Sequence, residues 1–544
     1  MPLYSSASPV TTVIENARIY TMDYDLSHAS AIALRDGRVV AVGSTEDLSL
    51  LRGTIRRIDA GGRAIIPGLI DAHIHFLEYS RSLAKIDLDW VASKEEALAK
   101  VAEKARELGP GRWVLGGGWN NNLWSPPDFP TRHDLDRVAP HSPVYLDRKD
   151  LHSCWVNTLA LQRAGVTRDT PDPAGAAIGR DDDGEPNGLF YESAVAIMRA
   201  GIDEAPEDPI TAMQRGFPAL AATGLTGFHN CEGPDVFAAL QTLDAANELP
   251  MRVIILLAYY RLEEAVRLGL QTGFGSDYLR TGPVKIFSDG SLGSMTAEML
   301  EDFECCPGNR GISTIPQDEL EHAIVKAARV GIPSAIHAIG DAANRRVLDA
   351  FERASEALGS QYDEMRLRHR IEHAQLLHPD DIPRFAQLGV VASMQPVHAT
   401  SDMHAADRLW GARSRYSYAW RSVLDAGALL AFGSDAPVET PNPFAGIHAA
   451  VTRQDRDDHP PEGWYPEERL TVEEAVRAYT EGAARSCPYL PGVTGTLAPG
   501  SVADLLVLDR DIFTVDASEI KHARPLVTMV GGEAIYDPKG MLSK

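Results

Sequence analysis

The sequence predicts an α/β fold: a (β/α)8 TIM-like barrel, a composite β-sandwich domain drawn from both termini, and an α+β insertion after the first barrel strand. Three observations predict it. Short alternating segments rich in β-branched residues crowd both ends of the chain. The long middle alternates apolar strand-like runs with helical stretches, the pattern of parallel βαβ units. One interval in that middle, about residues 77–225, is far too long for an ordinary crossover.

TTVIENARIYTM, AIALRDGRVVAVG and RRIDAGGRAIIPG read as strands punctuated by Asp-Gly and Gly-Gly turns. ADLLVLD and LVTMVGGEAIYD, near the other end, read the same way. An isolated hairpin is marginal in water, so residues 1–66 and 488–544 are expected to combine into one β-domain. Eight barrel strands are expected: AIIPGLIDAHIHF (64–76), TGFHNC (226–231), MRVIILLAYY (251–260), PVKIFSDG (283–290), PSAIHAIGD (333–341), RHRIEHAQ (368–375), VVASMQPVH (390–398) and LLAFGSDAP (429–437). Helical segments such as QDELEHAIVKAARVG fill most gaps, giving a barrel over 67–84 and 206–487. The long interval is expected to hold an inserted subdomain, 85–205, rich in Trp, Asn and Pro around GGGWNNNLWSPPDFP. It begins just past His75, at the face where such barrels carry their sites, and is expected to cover that mouth.

The 52 basic and 76 acidic residues leave a formal charge of −24. That argues against nucleic acid and acidic membrane surfaces, which favour a basic face, and fits a small-molecule substrate. No apolar run approaches a membrane span, and MPLYSSASPV is not a basic region followed by an apolar stretch, so a cytoplasmic chain is expected. A homodimer is compatible with this composition. Five cysteines without a CxxC pair give no disulfide framework, and the adjacent Cys305 and Cys306 read as incidental.

Catalytic groups of such barrels sit at the C-terminal ends of the strands. Here the first strand ends in His73 and His75, the fourth carries Lys285, the fifth His337, the sixth His373 and the eighth Asp435. Each is weak alone. An HxH recurs by chance among 17 histidines, a strand His is commonly a core residue, and Asp435 after Gly-Ser could be a turn or helix cap. Lys285 in an apolar strand is harder to dismiss, because an uncompensated ammonium is costly to bury. The conjunction points to metal. Strand side chains alternate, so His73 and His75 share a face and can bind one ion. His337 and His373 offer further nitrogens and Asp435 a hard oxygen, a mixture suited to zinc, manganese, iron or nickel. A lysine amine that combines with carbon dioxide becomes a carbamate, which has carboxylate geometry and can bridge two ions. Two such ions can hold a hydroxide and polarise a carbonyl.

This ordered set, with PGLIDAHIHF, VKIFSDGSLGS, AIHAIGDAA, HRIEHAQ, SMQPVH and FGSDAPV, resembles the metal-dependent amidohydrolase superfamily. It is most similar to family 3, the YtcJ-like branch that includes N-substituted formamide deformylases. GTLAPGSVADLLVLD, DRKDLHSCWVNTLAL and GLFYESA extend the resemblance over nearly the whole chain. It implies that His73 and His75 bind a buried metal and that His337 and His373 bind a more exposed one. It further implies that Lys285 is the carboxylated bridge, and that Asp435 binds metal and acts as general acid/base. The implied cofactors are one or two divalent ions, zinc foremost, and carbon dioxide as the lysine carbamate. Met295 stands where the branch often has Arg, which implies a more apolar substrate preference.

Candidate substrate-binding residues are Trp119, Asn120, His152, His229, Ser291, Gln395 and His398, with Asn122 and Trp124 beside them in the insert. His369 shares the strand parity of His373 but lies deeper, which favours packing or support of a ligand. The reading that follows is hydrolysis of a C–N bond in a small amide (N-substituted formamide, N-acyl or cyclic amide) by metal-bound hydroxide. An ester, lactone or phosphoester is the alternative on the same site. The complete ligand set argues against a third reading, a non-catalytic metal-binding scaffold.

Overall fold

The computed structural model describes residues 11–88, 91–121, 124–148, 153–173, 177–191, 194–202, 207–293, 295–363, 367–487 and 495–542. The chain begins with β1 (Thr11–Tyr20), β2 (His28–Ala29), β3 (Ala31–Arg35), β4 (Arg38–Gly43) and β5 (Ile55–Pro67). Asp36 and Gly37, both at positive φ, turn β3 into β4 as a two-residue hairpin loop requires. The Gly61-Gly62 pair, expected to be a turn, is instead a bulge. β5 runs through it parallel to β1, and between the pairs Glu15↔Asp59 and Ala17↔Arg63 the strand β5 carries two residues more than β1. Both glycines sit at positive φ (61° and 74°), a conformation that strains a residue with a Cβ.

The first barrel strand, β6 (Leu69–Ile74), follows at once. The insert then supplies β7 (Ile86–Asp87), β8 (Val114–Trp119), β9 (Val144–Arg148), β10 (Ser153–Val156), β11 (Ala177–Arg180) and β12 (Pro186–Tyr191). These strands form a sheet of their own, in the order β11-β12-β10-β9-β8-β7. The insert is a compact unit, Glu78–Ala212, with its own core. Trp119, Trp124 and Trp155 pack there with ring centroids 6.0–6.4 Å apart, against Leu98, Val101, Val114 and Leu146.

The barrel resumes with β13 (Leu225–Asn230), β14 (Arg252–Ala258), β15 (Leu279–Phe287), β16 (Ser334–Ala338), β17 (Arg370–His373), β18 (Val391–Met394) and β19 (Leu430–Phe432). With β6 they make eight parallel strands, each pairing with its sequence neighbour within the barrel. Each of the eight expected strands is present with shifted ends: most are shorter, the second and fourth begin earlier, at Leu225 and Leu279, and residues 64–67 of the first belong to β5. The loop after β19 closes the cylinder against β6. The Asp435 N–H donates to His73 O (2.7 Å) and the His75 N–H donates to Ala436 O (2.9 Å). Ser434 donates to the buried Asp71 carboxylate through its N–H (3.0 Å) and its hydroxyl (2.5 Å).

Finally β20 (Leu505–Leu508), β21 (Pro525–Val530) and β22 (Glu533–Tyr536) join the N-terminal strands in one sheet, order β22-β21-β20-β5-β1-β3-β4 with β2 on β1. The sheet buries both faces, Ile14, Ile32, Val507 and Val527 in one cluster and Val13, Ala31, Ala33 and Leu48 in another. Asp504, beside β20, ties this sheet to the barrel. It takes a two-pronged ion pair from Arg252 of β14 (2.7 and 3.1 Å) and the N–H of Gly531 (2.7 Å). Among the described residues no helix is long and apolar enough to cross a membrane.

Breaking one side of this pair leaves a guanidinium without its counter-ion. Asp504→Leu is expected to destabilise the fold by about 3–5 kcal/mol, whereas the double change Arg252→Met with Asp504→Leu should cost less than the single one. Urea denaturation of the three proteins checks this; a double variant no more stable than Asp504→Leu contradicts it.

Candidate metal centre

The site is built at the C-terminal ends of the barrel strands. His73, His75, Lys285, Ser291, His337, His373, His398 and Asp435 line one cavity of about 330 Å³. The side-chain donors of His73, His373 and Asp435 lie within 4.8 Å of one another, the separation one cation can span. Asp435 Oδ1 lies 3.4 Å from His73 Nε2 and 3.2 Å from His75 Nε2. The His73 and His373 rings are 4.9 Å apart, and those of His337 and His373 4.7 Å apart.

Three imidazoles, His73, His373 and His337, are each held by one nitrogen, which leaves the other for the cavity. His73 Nδ1 meets Glu372 Oε2 at 2.6 Å. The other oxygen of Glu372 is held by Arg370 Nε, and Arg370 donates further to Ala72 O (2.8 Å), Ser486 Oγ (3.2 Å) and His229 Nδ1 (2.9 Å). All of this is buried, so a carboxylate–histidine contact fixes the His73 tautomer from beneath. His373 Nδ1 meets Gln395 Oε1 at 2.9 Å. His337 Nε2 meets Gly290 O at 2.9 Å, so Nδ1 is its remaining donor. Asp289 anchors the loop that carries Gly290, accepting the N–H groups of Glu298, Ile339 and Gly340 at 2.9–3.1 Å. His373 and Asp435 both adopt left-handed backbone (φ 71° and 59°), strain that concentrates at functional positions.

The electrostatics suit a cation. Burial, reinforced by the Lys285 charge, holds the pKa of His73 down at about 4 and that of His337 at about 3. Burial and the neighbouring His337 hold His373 well below the ordinary imidazole range. Burial pushes Asp435 upward, but the hydrogen bond from His75 and the electrostatic influence of the imidazoles around it outweigh it and keep the carboxyl well below its usual range. At neutral pH His73, His337 and His373 are therefore neutral imidazoles and Asp435 is an ionised carboxylate, the protonation states metal binding requires. Burial pushes Asp71 up to about 7, against hydrogen bonds from Ser434 and His73. His398 Nε2 is buried without a hydrogen-bond partner among the described residues, 3.8 Å from Asp435 Oδ2, an orphaned atom aimed at the cluster. Lys285 is buried on β15 with Nζ 4.9 Å from the Phe287 ring centroid, and among the described residues no hydrogen bond or ion pair reaches it. The residues present fit a divalent cation.

The other candidates fall elsewhere. Gln395 stands behind His373 and orients it, and His229 lies beneath the site against Arg370. His369 packs between Phe351 and Tyr362 and accepts the Ser334 N–H at 3.0 Å. Trp119 and Trp124 are buried in the insert's core, donating to the carbonyls of Leu146 and Val91 (3.0 and 3.1 Å). Asn120 follows Trp119 in the same unit and is partly buried. His152 and Asn122 lie outside the described residues. Met295 turns its sulfur to Cys305 and Cys306 (3.7 and 3.8 Å) and is not among the residues lining the cavity. Glu372, Arg370, Asp71 and Asp289 carry the site from behind and are not among the candidates above, although charges within the expected strand RHRIEHAQ were a signal for the first pair.

A parallel barrel that gathers histidines, a lysine and an aspartate at its strand ends around a cation-sized cluster is the architecture of a metal-dependent hydrolase. The chain belongs to the amidohydrolase family, whose model matches residues 56–536. It is 35% identical to Protein LONG AFTER FAR-RED 3 of Arabidopsis thaliana, over 96% of this chain and 91% of that one. It is 32% identical to the putative amidohydrolase YtcJ of Bacillus subtilis (95% and 98%). With the N-substituted formamide deformylase of Arthrobacter pascens the identity is 29% (97% and 98%). Among solved structures, an uncharacterized metal-dependent hydrolase from Pyrococcus furiosus superimposes with a TM-score of 0.73 at 29% identity, covering 93% of this chain and all of that one (100%).

If Glu372 fixes the donor nitrogen of His73, Glu372→Gln should weaken metal binding about 10–100-fold. Competition with a chromogenic chelator measures it, with circular dichroism confirming the fold. Unchanged affinity in a folded variant contradicts the role.

Proposed function

We propose that this chain hydrolyses the C–N bond of a small amide: an N-substituted formamide, an N-acyl amine or a cyclic amide. The observation that carries the proposal is the convergence of His73, His373 and Asp435, flanked by His75, His337 and Lys285, on one cavity. The N-substituted formamide deformylase among the relatives supports the choice of bond. His73, His75, His337, His373 and Asp435 would hold the metal, zinc being the first choice for this donor set. Lys285 would serve as a carbamate; a buried amine with no counter-ion among the described residues gains solvation and charge balance by becoming an anion beside a cation. Bound there, a divalent cation supplies Lewis acidity and lowers the pKa of water.

The proton path is assigned to Asp435. Its Oδ1 sides with His73 and His75, which leaves Oδ2, toward His398, to move the proton. Water adds to the carbonyl carbon, and Asp435 takes a proton from it. The C–N bond then breaks, Asp435 returns the proton to the leaving nitrogen, and the products are a carboxylic acid and an amine. Gln395 and Glu372 keep the two imidazoles in the tautomers that face the cavity.

Three outcomes follow. Zinc-reconstituted protein should hydrolyse at least one member of an N-formyl, N-acetyl and cyclic amide panel, and chelation should abolish turnover; full turnover of metal-free protein overturns the assignment. Asp435→Asn should lower kcat by about two orders of magnitude or more, the scale of general acid–base contributions; near wild-type kcat in a metallated variant refutes the proton role. Lys285→Ala should lose metal and activity, with partial recovery of both in short carboxylic acids; a native mass showing an unmodified lysine in fully active, two-metal protein contradicts the carbamate.

A further inference from the structure

One wall of the cavity is built with more care than the metal ligands need. Asp402, on the helix Pro396–Trp410, lines the cavity beside Gln375. Gln375 Nε2 donates to Asp402 Oδ2 at 3.0 Å and the Tyr418 hydroxyl donates to the same oxygen at 2.7 Å. The donors are fixed in turn. Tyr418 is buried in left-handed backbone (φ 52°), and its N–H donates to Gln375 O at 2.8 Å. Its carbonyl accepts from Arg453 (2.9 Å), a fully buried guanidinium held between Trp420 and Trp464 at 4.5 and 5.0 Å from their ring centroids. Burial and the Asp402 charge raise the Tyr418 phenol well above its ordinary range, so it stays a donor.

Both donors go to Oδ2. Among the described residues none reaches Oδ1, and no lysine or arginine pairs with Asp402 or with Glu439, the other carboxylate of the wall outside the ligand set. Lys285 is the one lysine or arginine among the described residues lining the cavity. Asp402 is partly buried and lines the cavity, two neutral donors fix one of its oxygens, and no protein donor among the described residues meets the other, which leaves a carboxylate acceptor for a ligand's donor. The chain's charge of −24 adds a field that draws cations.

We propose that Asp402 is a specificity-determining residue: its Oδ1 receives a protonated amino group carried by the substrate, so that small amides bearing a cationic nitrogen are preferred over neutral isosteres. This deepens the amide reading and rests on it for the bond cleaved, while the ammonium-binding step stands apart from any turnover.

Two measurements on the zinc-loaded protein test it. In the first, calorimetry compares n-butylammonium with n-butanol. Wild type should bind the ammonium ion at least about tenfold more tightly, the scale of one charge-assisted hydrogen bond, and the margin should shrink with added salt. Asp402→Asn should bring the two within about twofold, and Asp402→Glu should restore part of the difference. Equal affinity in wild type, or a margin that survives in Asp402→Asn, overturns the proposal. In the second, kcat/KM is compared for N-formyl substrates that differ only in an ammonium or a methyl terminus. Wild type should favour the ammonium member through KM, with the ratio falling toward one in Asp402→Asn; a ratio of one in wild type overturns it. Failure to cleave either amide while the ammonium margin persists would sink the amide reading and leave Asp402 as the cation-binding residue.

Discussion

The site depends on the seam where the first and last barrel strands meet. Residues 73 and 435, far apart in the chain, become neighbours because the Asp435 N–H closes onto the His73 carbonyl at 2.7 Å and the His75 N–H onto Ala436. A barrel must join its edges somewhere, since an open edge leaves backbone groups unpaired. This chain makes the join with a loop rather than a regular ladder, and the loop's left-handed Asp435 turns its carboxylate into the mouth. Ser434, gripping Asp71, locks the seam one residue away. Closure and the placement of the candidate ligands are thus one structural event, and strain at Asp435 is sustained by the bonds on either side of it.

Beneath the seam lies the second constraint, a buried charge network. Arg370 and Glu372 have no exposed surface, and they reach β6, β13 and the helix segment at Ser486. Burying such a pair is costly unless its hydrogen bonds are met, and here Arg370 meets a carboxylate, a carbonyl, a hydroxyl and an imidazole. The network holds His73 in place and sets which of its nitrogens faces the cavity. Gln395 does the same for His373 with a neutral carbonyl, so the two imidazoles differ in the charge behind them.

The strand count and the six residues that gather at one cavity are legible in the sequence because each shows in local patterning. His73 and His75 follow strict alternation, and Lys285 is a charge in an apolar run. His373 is reached for an incomplete reason. Alternation groups it with His369 and Ile371, and His369 faces a helix, stacked on Phe351; the left-handed turn at His373 breaks the alternation and sends its ring to the mouth. The rule that singles out Lys285 applies equally to Arg370 and Glu372, whose role appears once β6 and β17 are set face to face. Trp119 illustrates the opposite case. An aromatic residue in a Gly-rich stretch suits a pocket wall or a core, and the deciding contacts, Trp124 and Trp155, are tertiary. Gly61 and Gly62 likewise fit a turn or a bulge until the parallel partner β1 is known.

The most direct measurement is anomalous X-ray diffraction at the zinc edge from zinc-reconstituted crystals. A peak is expected at about 2.0–2.2 Å from nitrogens of His73 and His373 and from a carboxylate oxygen of Asp435. Fully occupied zinc at other residues, with those three side chains bare, would contradict it.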